Sequence, residues 1–199
     1  MPPSKITHSE ANEPLWPSVE GALRYVHRYE NHPVWRTSQA LARLTGSTVP
    51  GRNSSGLTEW DHHIQACMVV RLLRRHLRPW HWTVVRAYYL PLTEHGIPDK
   101  EVACARVADQ LLEYLDDVAL ERDWIWDLVR GWAGLPMHKT HADWARQLMR
   151  DAKTLRRHRF GSAEIEGAEE VLEQWRGEAK GAAAGPLRET GLVGGDHPS

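Results

Sequence analysis

A chain of 199 residues that is 41% hydrophobic and 26% charged carries enough apolar material for one ordinary domain, or for two small helical units sharing a core, and this excludes wholesale disorder. Its formal net charge of -1 gives the chain as a whole no pull on a polyanion, and no apolar run reaches the roughly 18 to 20 residues that cross a bilayer. The start has no basic segment followed by an apolar core of the secretory kind, and Cys67 and Cys104, the two cysteines, are expected to be buried thiols in a reducing compartment.

Met1 to Pro14 is polar, with three prolines, and is expected to be a disordered lead. Val19, Leu23, Val26 and Tyr29 recur at three- and four-residue spacing, which predicts a short amphipathic helix over 17–29. Pro33 interrupts it, 37–44 offers another helical turn or two, and the Gly/Ser/Thr-rich stretch 45–56 is a loop. Thr58 supplies a capping hydroxyl for the strongest helix, with Ile64, Met68, Leu72 and Leu73 as its apolar stripe as far as Pro79. Helices are then predicted over 80–90, from Pro98 with Val102, Val107, Leu111 and Leu115 inward, and over 123–132, where Gly131, Gly134 and Pro136 close the last. Beyond Gly177 the chain turns to Gly, Ala and Pro, the composition of a disordered tail. No stretch shows a convincing period of two. Ten tryptophans against one phenylalanine are read as core filling at helix junctions.

The charge is near zero in sum but sorted along the chain. Residues 71–86 hold five arginines and no acid, 99–127 hold nine acids against three bases, and 139–160 hold seven Lys/Arg against Asp143 and Asp151. Blocks of this kind place a basic face on a neutral body.

The basic stretch 139–160 has the grammar of a helix-turn-helix. Trp144, Ala145 and Leu148 give the first helix an apolar face, Ala145 is small enough for a close crossing, and Leu155 anchors the second helix. The turn over 149–152 has no glycine. In such a unit the second helix enters the major groove by its N-terminal end, which designates Lys153, Thr154, Arg156 and Arg157. Arginine suits the work because its planar fork meets guanine O6 and N7 together. Arg146, Arg150 and Arg159 are assigned to phosphates, which position without specifying, and Lys139 is counted among the DNA-binding residues. The bland alternative is an amphipathic helix pair whose arginines face water. Arg71, Arg74, Arg75 and Arg78 admit three readings (a second nucleic-acid surface, a partner-binding face, or a solvated side closing over Asp116 and Asp117), and the last weighs more.

Asp61-His62-His63 and the pair His138 and His141 invite a metal. Adjacent helical residues point about 100° apart, and the second pair has no evident third ligand, so no metal and no cofactor are expected. Neither a phosphate-cradling glycine loop nor a nucleophile elbow is present, and an enzyme is not expected.

Two stretches, Gln65-Ala-Cys-Met-Val-Val-Arg-Leu-Leu-Arg-Arg-His-Leu running into Trp82-Thr-Val-Val-Arg-Ala-Tyr-Tyr-Leu90, and Trp144-Ala-Arg-Gln-Leu followed by Lys153-Thr-Leu-Arg-Arg-His-Arg159, resemble phage late-gene antitermination proteins of the Q type, over about half the chain. The resemblance implies a protein of the bacterial host's cytoplasm that binds double-stranded DNA near the late promoter. It implies loading onto RNA polymerase paused with its sigma factor, followed by read-through of pauses and terminators. It makes Arg71, Arg74, Arg75, Arg78, Trp80 and Trp82 candidates for the polymerase or RNA-exit contact. A four-cysteine zinc site found in one branch of the family is missing here, so only a metal-free branch fits. Another helix-turn-helix phage regulator, a packaging-recognition subunit, or a protein-binding helical adaptor are the alternatives, and a homodimer would suit a palindromic DNA element.

The sequence thus predicts an all-α multi-helix bundle with a disordered lead (1–14), a helical body (15–136), a helix-turn-helix region (137–176) and a disordered tail (177–199).

Overall fold

The computed structural model describes residues 14–30, 59–94, 96–115, 121–160 and 167–194. The expectations for 1–13, for 37–44 and 45–56, for Thr58 as a cap, and for Asp116 and Asp117 lie outside those residues. Within them the chain is all-α, with eight helices: α1 (Val19–Glu30), α2 (Glu59–His76), α3 (Pro79–Tyr89), α4 (Ile97–Leu115), α5 (Arg122–Trp132), α6 (His141–Gln147), α7 (Ala152–Phe160) and α8 (Ala168–Glu189). Extended pairing among the described residues is limited to one bridge, Trp16 with Val193. There Trp16 N–H donates to Leu192 O at 3.0 Å.

Over 177–189 the expected disordered tail is instead the second half of α8, which packs against α1, α2, α3, α4, α5 and α7, while 195–199 lie outside the described residues. Composition misleads here because the apolar residues are small. Trp175, Ala179, Ala183 and Leu187 recur every four residues and all are buried, a stripe that lets neighbouring helices approach closely. Gly177, Gly181 and Gly185 fall on the opposite, exposed side.

Two apolar stripes match expectation only in part: Leu73, Val107 and Leu111 are buried, but Ile64, Met68 and Val102 are exposed. Along α2 the buried apolar residues are Ala66, Val69, Val70 and Leu73, with Leu77 buried just beyond its end, while Ile64 and Met68 are 41% and 68% exposed. Along α4 they are Ala103, Cys104, Val107, Ala108 and Leu111, with Val102 exposed. In each helix two overlapping apolar stripes exist, and the neighbours decide which is covered. Of the two thiols, Cys104 is buried and its pKa is pushed up to about 12 by that burial, whereas Cys67 is exposed.

Lys100, in the first turn of α4, is 1% exposed. Its Nζ donates to Tyr88 O and Leu90 O, both at 2.9 Å, and so satisfies carbonyls that the end of α3 leaves without intrahelical partners. Burial pulls its pKa down to about 8.

Three helices end alike. Gly134 follows α5 at φ 80° and Gly191 follows α8 at φ 70°, and each is flanked by the paired 6→1 and 5→2 bonds of a Schellman turn: Leu135 N–H to Arg130 O at 2.8 Å and Gly134 N–H to Gly131 O at 3.1 Å, then Leu192 N–H to Leu187 O and Gly191 N–H to Arg188 O, both at 2.9 Å. The third such turn ends α6, with Met149 in the glycine's place.

Candidate nucleic-acid interface

The basic stretch folds as α6, a turn and α7, and its placement begins with a buried carboxylate on α5. Asp127 is 1% exposed. Its Oδ1 accepts from His138 N–H at 2.8 Å, and its Oδ2 accepts from Lys139 N–H at 2.9 Å and from Trp144 Nε1–H at 3.0 Å. One carboxylate thus fixes both the connection out of α5 and the first helix of the pair.

Helix α6 starts with a capping box. Thr140 Oγ1 accepts from Asp143 N–H at 3.2 Å and Asp143 Oδ2 accepts from Thr140 N–H at 3.1 Å. The Thr140 hydroxyl also donates to Asp143 Oδ2 at 2.6 Å, and that bond, with the one from the Thr140 backbone N–H, holds the Asp143 carboxyl below the usual carboxylate range. Trp144 and Ala145 face inward. At the other end Arg150 N–H reaches Ala145 O at 3.1 Å and Met149 N–H reaches Arg146 O at 3.3 Å. This requires φ 49° at Met149, a left-handed conformation that L-residues disfavour. The missing glycine of the turn is therefore a substitution within a Schellman turn, with the methionine side chain 96% exposed.

Helix α7 buries only Leu155, at 1% exposure. Lys153, Thr154, Arg156 and Arg157 are exposed, with the Arg156 guanidinium 6.0 Å from the Phe160 ring. The expected phosphate contacts divide. Arg146 is exposed and pairs with Asp143 at 2.5 Å, and Arg150 is half-buried. Lys139 lies with Nζ 4.4 Å from the Trp144 ring centroid and hydrogen-bonds Gln147. Arg159 is turned inward, pairing with Glu169 of α8 at 2.5 Å and contacting His141 Nε2. Burial and the Arg159 charge together hold His141 below its ordinary pKa. Arg159 thus clamps α7 to α6 and α8.

The second arginine set lies on other elements. Arg71, Arg74, Arg75 and Arg78 are exposed along α2 and just beyond it. Trp82 carries the guanidinium groups of Arg74 and Arg86 at 5.3 and 5.8 Å from its ring, whereas Trp80 packs edge-on against buried Trp175 at 4.9 Å. The two sets share no element.

Sequence reasoning missed Asp127, Glu169 and the capping pair. The Thr-x-x-Asp spacing of Thr140 and Asp143 was a usable local signal. Nothing local distinguishes Asp127 from its acidic neighbours. Among the described residues no three His, Cys, Asp or Glu side chains gather to hold a metal ion, and no helix is long and apolar enough to cross a membrane. No protein-family model, no curated protein and no solved structure matches the chain.

Proposed function

We propose that this chain binds double-stranded DNA through α7 and acts as a transcription regulator. One observation carries the reading: Leu155 is buried while Lys153, Thr154, Arg156 and Arg157 are all exposed around it. A helix anchored by a single apolar residue, on a scaffold tied down by Asp127 and Arg159, offers its remaining surface to a partner. That surface is cationic and planar in its hydrogen-bonding groups, which suits base edges and phosphates. With the helix backbone held in place beforehand, the ordering cost of binding falls on these side chains alone. Loading onto RNA polymerase and read-through of terminators extend this reading and rest on the resemblance to Q-type antitermination proteins.

The test pairs duplex binding with transcription. Salt-titrated binding of the wild-type chain and an Arg156→Ala, Arg157→Ala variant to late-promoter DNA reports the interface. In vitro transcription by purified bacterial RNA polymerase on the same template, with a terminator downstream, reports the regulation. Read-through that appears with wild type and vanishes with the variant supports a DNA-loaded antiterminator. Salt-sensitive binding without read-through leaves a DNA-binding regulator of another kind. Absence of both effects removes the DNA reading and favours a protein-binding adaptor.

A further inference from the structure

Away from the α6–α7 pair, α2, α3 and α4 together line a half-open cleft of about 230 Å³ whose walls include Arg74, Trp82, Thr83, Arg86, Asp99 and Arg106. Three guanidinium groups meet one carboxylate there, so the cleft is net cationic. Its parts are held in place. The Arg86 side chain is only 14% exposed and is tied to Asp99 at 2.6 Å. Trp82 rests 5.5 Å from the ring of buried His27, and Arg74 and Arg86 both lie against the Trp82 indole.

Outside the cleft the cationic surface continues along α2. Arg71 lies three and four residues before Arg74 and Arg75, on one side of α2, and Arg78 follows just beyond the end of that helix. Arg74 belongs both to this stripe and to the cleft.

A stripe of arginines running to a recess walled by an indole, with two guanidinium groups against its ring, matches a polyanion that also has flat, unpaired rings. Acidic peptides offer the charge without the rings. Duplex DNA offers charge but keeps its base faces stacked inside, whereas single strands expose both. We propose that this cleft binds single-stranded nucleic acid, with Arg74 and Arg106 neutralising phosphates, Arg86 held by Asp99 as part of the wall, and an unpaired base lying against Trp82. The site shares no residue with α7, and the inference does not depend on whether α7 binds duplex DNA.

The test uses the full chain and a fluorescently labelled oligouridylate, followed by anisotropy across a salt titration. Wild type should bind. An Arg74→Ala, Arg106→Ala variant should lose about tenfold or more in affinity, and its log–log salt slope should fall by about 1.4, at roughly 0.7 for each single-strand phosphate no longer neutralised. Trp82→Leu should weaken binding by about fivefold or more through lost stacking while leaving the slope unchanged. Both arginines are exposed, so the double variant tests the idea even if Trp82→Leu misfolds. The Arg156→Ala, Arg157→Ala variant should keep its oligouridylate affinity, which separates this site from the α7 reading. Three results would overturn the inference: no wild-type binding at low salt, equal competition by polyglutamate, or equal loss in the α7 variant.

Discussion

The indole N–H of Trp144 donates to Asp127 Oδ2 at 3.0 Å, and both side chains are almost fully buried, at 2% and 1% exposure. This is the main polar tie between α5 and the α6–α7 pair, and it is charge-assisted in a place with little solvent to replace it. Asp127→Ala would strip the acceptor from three buried or half-buried N–H groups and should lower unfolding free energy by about 3 kcal/mol or more. Trp144→Phe removes one donor and should cost about 1 to 2 kcal/mol. Urea denaturation of the two single variants and the double variant measures both values. The losses should be strongly non-additive, because the bond is lost in each. Additive losses would show that the bond contributes nothing of its own.

Met149 offers the opposite sign. It holds φ 49° in a turn whose two counterparts use Gly134 and Gly191, and its side chain is 96% exposed. Met149→Gly removes a left-handed penalty of about 1 kcal/mol and gives up almost no packing, although it loosens the unfolded chain. We expect a net gain of up to about 1 kcal/mol, read as a higher urea midpoint with an unchanged slope. A destabilised variant would mean that Met149 makes contacts its exposure does not suggest.

Leu187 tests whether the glycine-rich end of α8 is structural. It is fully buried one turn beyond Ala183, and its carbonyl accepts from Leu192 N–H at 2.9 Å. Leu187→Ala should cost about 2 to 5 kcal/mol. Deleting 177–199 also removes buried Ala179, Ala183 and Val193, and should abolish the cooperative thermal transition. A truncated chain with an unaltered melting curve would return this segment to the status of a tail.

Lys100 gives a pH dependence with a fixed sign. The unfolded side chain keeps its proton to about 10.5 and the folded one releases it near 8. Between those values the unfolded chain binds more protons, so this group makes stability rise with pH across that window. Below it both states are protonated and the contribution is flat. The rise is at most about 3 kcal/mol. Comparing denaturation curves of wild type and Lys100→Met from pH 7 to pH 10 isolates it, because the variant lacks this slope. Parallel pH profiles would place the folded ammonium at its ordinary value.

By itself the sequence determined most of the helical segments among the described residues, α8 excepted. Proline positions, glycine stops and three- and four-residue apolar spacing act within one or two turns, so 80–90 and 123–132 were legible to within a residue or two of α3 and α5. The apolar anchors Trp144, Ala145 and Leu155 were legible for the same reason, and all three are buried. The tertiary structure decided what local spacing leaves open. It chose Ala66, Val69 and Val70 over Ile64 and Met68, and it took the small residues of 177–187 as a core stripe. It also turned Arg159 inward to Glu169 while its neighbours stay exposed. It singled out Asp127 among nine similar acids and gave Lys100 two carbonyl partners ten and twelve residues away. Burial of a charge depends on partners supplied by other helices, and those partners come together only when the helices pack.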